Sequence, residues 1–328
     1  MAPGRKVAVI GAGAWGTALA GLAAANGAAV VLLTRDPGKA ARLNSGCPAR
    51  SAIDVASPVV ATSDPADLEA AAVAVFATPA QSLGAVAGRL APHLASGLPA
   101  VITAKGIDGR TGRLLHEVLA EALPRAVPVV LSGPGFAADV AAGLPTAVTL
   151  AAADAATGAD IAALFARDTF RPYLTDDLIG VELGGAVKNV LAIAAGIAEG
   201  RRLGPSAQAA LIARGLAEMT RLGIAMGARR ETFSGLSGLG DLVLTAMSPR
   251  SRNTALGLAL AAGRPLDELT GPGAPLAEGV FSAGVVADLA RRHGVDMPIT
   301  RAVAAVVAGA LGIDAAIASL LDRPLRAE

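Results

Sequence analysis

KVAVIGAGAWGTALAGLAAANG, residues 6–27, decides the fold. Its first five residues are a short apolar run of the kind buried on both faces of a parallel sheet. Gly11, Gly13 and Gly16 then stand at G-x-G-x-x-G spacing, and Ala14 to Asn26 reads as a helix stopped by Gly27. Gly11 permits the tight turn, Gly13 lets a pyrophosphate approach the backbone, and Gly16 allows close helix–strand packing. The helix N-terminus then faces the phosphates. The motif alone is weak. Here it follows a strand, opens a helix and precedes a second strand, which is the context a dinucleotide site needs.

The same stretch mimics an export signal. Arg5 and Lys6 precede a nearly uncharged run from Val7 to Ala25. The three glycines at turn spacing favour the strand–turn–helix reading. Ala302 to Ile313 is apolar but too short to span a bilayer. A soluble, cytoplasmic protein that is not membrane-spanning is expected.

Working outward, the first half alternates strands and helices. Strands are predicted at 6–10, 29–33, 59–62, 73–77, 100–103, 127–131 and 146–150, with helices between them such as 81–90 and 112–123. After about residue 180 strand signals stop. Ala/Leu-rich helices are predicted at 180–199, 206–226, 253–262, 280–293 and 300–311, punctuated at Gly204-Pro205, Gly271-Pro272-Gly273 and Met297-Pro298. The expected fold class is α/β. Residues 1–180 form an N-terminal Rossmann-type, doubly wound, mostly parallel sheet that binds NAD(P). Residues 181–328 form an all-helical C-terminal substrate-binding domain.

Composition narrows the function. The chain has 328 residues, 53% of them hydrophobic, and a net charge of +1, so it has ample core and no basic face for nucleic acid. At 2% aromatic residues it lacks base-stacking platforms. Cys47 is the only cysteine, which suits a reducing compartment. With His93, His116 and His293 the only histidines, no metal cluster is visible and no histidine sits near a nucleophile motif. Only four of the 28 cationic residues are lysines: Lys6, Lys39, Lys105 and Lys188. Lys loses its proton when desolvated and Arg in effect does not, so interior lysines are candidates for proton chemistry.

Two of them sit in telling places. Lys105, in Thr103-Ala-Lys105-Gly106, follows a predicted parallel strand, at the sheet edge where ligands bind in open α/β folds. Lys188 interrupts an apolar helix just after Gly184-Gly185, and a charge there is costly unless paired or functional. Snorkelling surface lysines are the plain alternative. Further on, Gly238-Leu-Gly240-Asp241 puts one acid in an apolar setting. Ser251-Arg252-Asn253 offers a guanidinium fork and an amide for an anion, although Ser251 and Asn253 also suit plain helix capping. The second strand ends in Thr34-Arg35-Asp36. Arg35 suits a 2′-phosphate and Asp36 a ribose hydroxyl, which leaves NADPH or NADH, with NADPH favoured.

With these residues in hand, the chain resembles the bacterial NAD(P)-dependent sn-glycerol-3-phosphate dehydrogenase family. The likeness is carried by GAGAWGTALA (11–20), TAKGI (103–107), LSGPGFA (131–137), GVELGGAVKNVLAIAAGI (180–197), RGLAEMTRLG (214–223), GLGDLVLT (238–245), SRN (251–253), AEG (277–279) and MPIT (297–300), in family order. The resemblance implies that Lys188 is the proton donor and acceptor. It implies that Lys105 touches cofactor and substrate, and that Asp241 is a substrate-site acid. Ser251, Arg252 and Asn253 would hold the substrate's phosphate and hydroxyls, with Arg252 also near the cofactor, and Gly133 would offer a backbone contact to substrate. Ala14, Trp15, Arg35, Ala137, Leu276 and Glu278 match cofactor-contact positions. Gly135 stands where the family often has a hydroxyl residue. The implied reaction is reversible hydride transfer between NAD(P)H and dihydroxyacetone phosphate, giving sn-glycerol 3-phosphate for phospholipid synthesis. Rival readings are a β-hydroxyacid or ketopantoate-type reductase and a non-catalytic NADP-binding sensor. A homodimer is the assembly to test.

Overall fold

The computed structural model describes residues 4–45, 59–271 and 273–322; Cys47 and Pro272 lie outside them. By contacts the chain forms two compact units. The first holds the residues up to Ala104 together with Leu114–Val181, and the second Lys105–Arg113 together with the residues from Glu182 onward.

The first unit is an eight-stranded sheet: β1 Lys6–Ile10, β2 Ala29–Leu33, β3 Val59–Thr62, β4 Val73–Phe76, β5 Pro99–Ile102, β6 Val127–Ser132, β7 Thr146–Ala152 and β8 Phe170–Thr175. The order is β3-β2-β1-β4-β5-β6-β7-β8, and only the β6–β7 pairing is antiparallel. Strand residues alternate between two cores. Val7, Val9, Val73 and Val75 face the Ala14–Ala25 helix with Leu19 and Leu22. Ala8, Ile10, Ala74 and Phe76 face the other side with Leu83, Leu90, Leu115 and Leu119. Both faces are covered, so the strands read as continuous apolar runs.

The strand order reverses at β1, between β2 and β4, and the glycine turn leaves the carboxyl end of β1 there. Open α/β sheets bind ligands at such a switch point. β8 was not predicted. It is an edge strand with half of its residues exposed, and Pro172 inside it has no N–H to give a neighbour. The predicted 112–123 helix begins at Leu115. Gly112 takes φ +71, and the Leu114 N–H donates instead to Glu117 Oε2.

In the second unit the Leu178–Gly200 helix, most of which lies in this unit, runs almost wholly buried. It is long and apolar enough to cross a membrane by composition, yet 89% of its most apolar window is buried inside the protein. It crosses the Arg252–Ala261 helix at Gly196 and Gly257. A Cβ on Gly196 would overlap the Thr254 carbonyl oxygen, and one on Gly257 would overlap that of Ile193. Backbone-to-backbone contact of this kind fixes both helices with little freedom to slide. Glu218, buried in the Pro205–Ala225 helix, accepts from Ile299 N at 2.7 Å and from Thr300 N and Oγ1 at 3.1 and 3.0 Å. It caps the Pro298–Val307 helix, so two of the resemblance motifs, 214–223 and 297–300, form one structural clamp.

Candidate functional site

In the first unit the glycine turn is built of backbone. Gly11 takes φ +111, and a Cβ there would stand 2.6 Å from the Ala77 carbonyl oxygen. A Cβ on Gly16 would overlap the Gly11 carbonyl oxygen. Above Gly13, by contrast, there is open space. Gly13 caps the Ala14–Ala25 helix with no side chain on its N–H groups and no acid in the first turn. This cradle fits a dinucleotide pyrophosphate: free amide donors, an open approach and no opposing charge.

The other first-unit candidates gather around it in part. Trp15 lies 3.5 Å from where a Gly135 Cβ would stand, and Thr146 Cγ2 lies 3.2 Å from the same point. The missing hydroxyl residue at 135 thus coincides with a position crowded by Trp15 and Thr146. Gly133, just after β6, takes φ +142 against the Val148 backbone, and Ala137 opens the Ala137–Ala141 helix. Arg35 follows β2 by two residues and is exposed. Asp36 stands at the N-cap position of the Pro37–Asn44 helix, makes no side-chain cap hydrogen bond, and lies 3.5 Å from Arg42.

The second unit carries a charge cluster. Asp241, 1% exposed, opens the short Asp241–Ala246 helix and lies between two lysines. Lys105 Nζ donates to its Oδ2 at 2.7 Å and Lys188 Nζ to its Oδ1 at 2.8 Å. Lys188 Nζ also donates to Thr245 Oγ1 at 2.6 Å, one turn along from Asp241. Thr245, which sequence reasoning did not single out, stands at the i,i+4 spacing that puts it on the same helix face. Although Lys105 lies in the first half of the sequence, contacts place it in this unit.

Burial sets the protonation. It pushes the Lys188 ammonium down from its ordinary 10.5 to about 8. Asp241 opposes that, and the Lys105 and Arg252 cations add to it. Burial raises the Asp241 carboxyl, but the two lysines outweigh it and hold the group below the ordinary carboxylate value. Lys188 is thus poised near neutrality beside an acid that stays ionised.

Arg252, exposed, is the first residue of the Arg252–Ala261 helix. Ser251 caps that helix, its Oγ accepting from Thr254 N at 3.3 Å. The Asn253 amide, expected to face a substrate hydroxyl, is engaged by protein. Its Nδ2 donates to Asn189 Oδ1 and its Oδ1 accepts from Gly279 N, both at 2.9 Å. Asn189, whose one signal in the sequence is its place beside Lys188, is the other amide of this pair. Glu278 is the first residue of the Glu278–Arg292 helix, and Leu276 lies two residues before it. Among the described residues no three His, Cys, Asp or Glu side chains group so as to hold a metal ion. An apolar cavity of about 840 Å³ lies elsewhere in this unit, lined by Ile197, Leu211, Glu218, Ile299, Val303 and Ile317 among others.

Models of the NAD-dependent glycerol-3-phosphate dehydrogenase N-terminus and C-terminus match residues 6–158 and 177–318. A glycerol-3-phosphate dehydrogenase [NAD(P)+] of Parvibaculum lavamentivorans is 53% identical over 99% of this chain and 98% of its own length. One from Caulobacter vibrioides is 52% identical over 98% of each. The crystal structure of glycerol-3-phosphate dehydrogenase from Coxiella burnetii superposes with a TM-score of 0.91 at 38% identity, covering 98% of this chain and 99% of that one. A ketopantoate reductase from Ralstonia eutropha reaches a TM-score of 0.61 at 18% identity over 95% of this chain and 99% of its own, a likeness of fold alone.

Proposed function

The chain belongs to the NAD-dependent glycerol-3-phosphate dehydrogenase family, and from that premise we propose which of its residues carry the reaction. It is an NAD(P)-dependent oxidoreductase that interconverts dihydroxyacetone phosphate and sn-glycerol 3-phosphate. The observation that carries the residue assignment is the Asp241 carboxylate held between Lys105 and Lys188.

The nicotinamide, when bound, supplies or takes up the hydride. Gly11, Gly13, Gly16 and the first turn of the Ala14–Ala25 helix would hold the pyrophosphate. Ala14, Trp15 and Ala137 would contact the cofactor. Leu276 and Glu278 would be further cofactor contacts, and Arg35 would meet a 2′-phosphate, which favours NADPH. Lys188 is the proton donor: negative charge grows on the ketone oxygen, the ammonium stabilises it, and a proton passes from Nζ. In the reverse direction the same amine accepts the alcohol proton. Asp241 aims both lysines and offsets their mutual repulsion, and Lys105 adds a second cation for the substrate. Arg252 presents its fork to the phosphate at the helix start that Ser251 and Asn253 build, with Gly133 as a backbone contact. On this reading residues 1–180 serve the dinucleotide and 181–328 the substrate, with Lys105 the crossover from the first to the second. We place the protein in the cytoplasm and propose a homodimer, which light scattering on the eluting peak would test.

The deciding experiment follows NADPH oxidation with dihydroxyacetone phosphate against unphosphorylated dihydroxyacetone, for wild type, Lys188→Ala and Arg252→Ala. The reading requires dependence on the phosphate, loss of kcat in the first variant, and a raised KM for the phosphorylated ketone in the second. Near-normal kcat in Lys188→Ala would remove Lys188 from the chemistry.

A further inference from the structure

Lys188 and Asp241 each stand four residues after one side of a single backbone contact. Gly184 lies one turn before Lys188 in the Leu178–Gly200 helix and has no room for a side chain. A Cβ there would overlap the Ser237 carbonyl oxygen and stand 3.0 Å from its carbon and 3.5 Å from the Gly238 Cα. Ser237 and Gly238 belong to one π-helical turn, Leu236–Gly240, which runs directly into the Asp241–Ala246 helix. The Gly240 N–H closes it, donating to the Gly235 carbonyl oxygen at 3.1 Å. Behind the turn stands Phe233, fully buried. A Cβ on Gly238 would overlap the Phe233 carbonyl oxygen, and one on Gly223, in the Pro205–Ala225 helix, would overlap the Phe233 ring. Among the described residues the buried Ser237 hydroxyl finds no hydrogen-bond partner, so the turn meets Gly184 through its backbone alone.

We propose that Gly184 is a positioning residue: it seats the π turn against the Leu178–Gly200 helix and so sets the separation of Lys188 and Asp241. A π turn takes in one residue more than an α turn, so the direction in which Asp241 leaves it depends on how the turn is seated. Gly184 and Lys188, four apart in one helix, share a face, and the carbonyl seated on Gly184 stands four residues before Asp241. The contact and the ion pair are thus two ends of one short lever. A methyl at 184 would have to push the Ser237 carbonyl off by about 1 Å to reach ordinary van der Waals separation. Phe233 blocks retreat, so the displacement passes along the turn to Asp241. The Lys188–Asp241 bond of 2.8 Å would then exceed the roughly 3.2 Å limit of a good hydrogen bond. Burial disfavours the Lys188 ammonium, Asp241 supports it, and Lys105 and Arg252 oppose it. Drawing Asp241 away therefore makes Lys188 give up its proton at lower pH.

The inference rests on the residue assignment above, and its test reads the ion pair directly as well as through activity. The chain has only four lysines, so protein labelled with carbon-13 at lysine Cε gives four resonances to titrate, and Lys188→Ala identifies the one from Lys188. Gly184→Ala should move that titration at least about half a pH unit below wild type, lower kcat for ketone reduction at pH 7 about tenfold, and leave the Kd of NADPH within about twofold. Gly196→Ala is the matched control. It puts an equal backbone clash into the same helix, against the Thr254 carbonyl oxygen, and should lower the thermal midpoint but leave the Lys188 titration where it is. If Gly184→Ala does not fold, Phe233→Leu takes its place. It loosens the backing of the turn without adding an atom at the contact, and should move the titration the same way by less. An unmoved or upward titration in the variant that folds overturns the proposal. So does a shift in Gly196→Ala as large as that in Gly184→Ala, which would mean general loosening of the helix. If Lys188→Ala keeps a near-normal kcat while Gly184→Ala still moves the titration, the residue assignment falls and the positioning role of Gly184 stands.

Discussion

The glycine turn at Gly11–Gly16 and the cluster around Asp241 both prepare for a charged ligand, by opposite means. The turn uses backbone N–H groups, open space above Gly13 and no ionised side chain. The cluster uses three ionised side chains drawn from residues 105, 188 and 241, each partnered before any ligand arrives. At Gly11 and Gly16 the backbone site has no room for an added atom. A side-chain site tolerates shape change and instead is sensitive to charge.

The sharpest test of that contrast is Lys188→Ala. It should cut kcat about a thousandfold while the Kd of NADPH changes less than twofold. Stopped-flow fluorescence and steady-state rates on the same preparation would check it. Asp241→Asn comes next. It keeps the shape and removes the charge, so kcat should fall about a hundredfold. With the opposing carboxylate gone, the Lys188 pKa should drop below its present value of about 8, moving the alkaline limb of ketone reduction to lower pH. A limb that moves upward would contradict the electrostatic account.

At the glycine turn, Gly16→Ala should weaken NADPH at least tenfold, because the new methyl overlaps the Gly11 carbonyl oxygen, and leave kcat at saturating cofactor within about threefold. Calorimetric binding beside saturation kinetics separates the two. If Lys188 is the proton donor as proposed, wild-type ketone reduction should decline through about pH 8 as the ammonium is lost, whereas alcohol oxidation should rise through the same value as the amine forms. The folded pKa lies below the ordinary 10.5, so between these values the unfolded chain binds more protons. Lys188 therefore makes stability rise with pH across that window. The smallest effect is Arg35→Ala, which should lower the ratio of kcat/KM for NADPH over NADH about tenfold, roughly 1.4 kcal/mol.

How much was legible follows the same division. The glycine turn, its strand and its helix lie within 22 consecutive residues, and local sterics leave little choice of structure there. β8 was missed because an edge strand needs neither β-branched residues nor alternation, and Pro172 reads as a breaker. Within the cluster, Lys188 and Asp241 were legible as charges in apolar surroundings and Lys105 as a lysine at the carboxyl end of a predicted strand. Thr245 and Asn189 were not, because a hydroxyl or an amide in a helix is ordinary until its partner is known. Glu218 shows the converse: a motif residue with the look of chemistry that caps a helix.

What the amino-acid order determined by itself was periodic and local: the mostly parallel sheet, the glycine turn, the helical second half and the types of residue able to do proton chemistry. Tertiary structure alone decided that Lys105 belongs with residues 188 and 241, 83 and 136 positions away. It also decided which amides are spent on the protein and which way they point, and that burial carries Lys188 toward neutral pH. The physical reason is range. Backbone sterics and side-chain periodicity act over a few residues, whereas pairing, desolvation and hydrogen-bond polarity depend on neighbours that only the folded chain supplies.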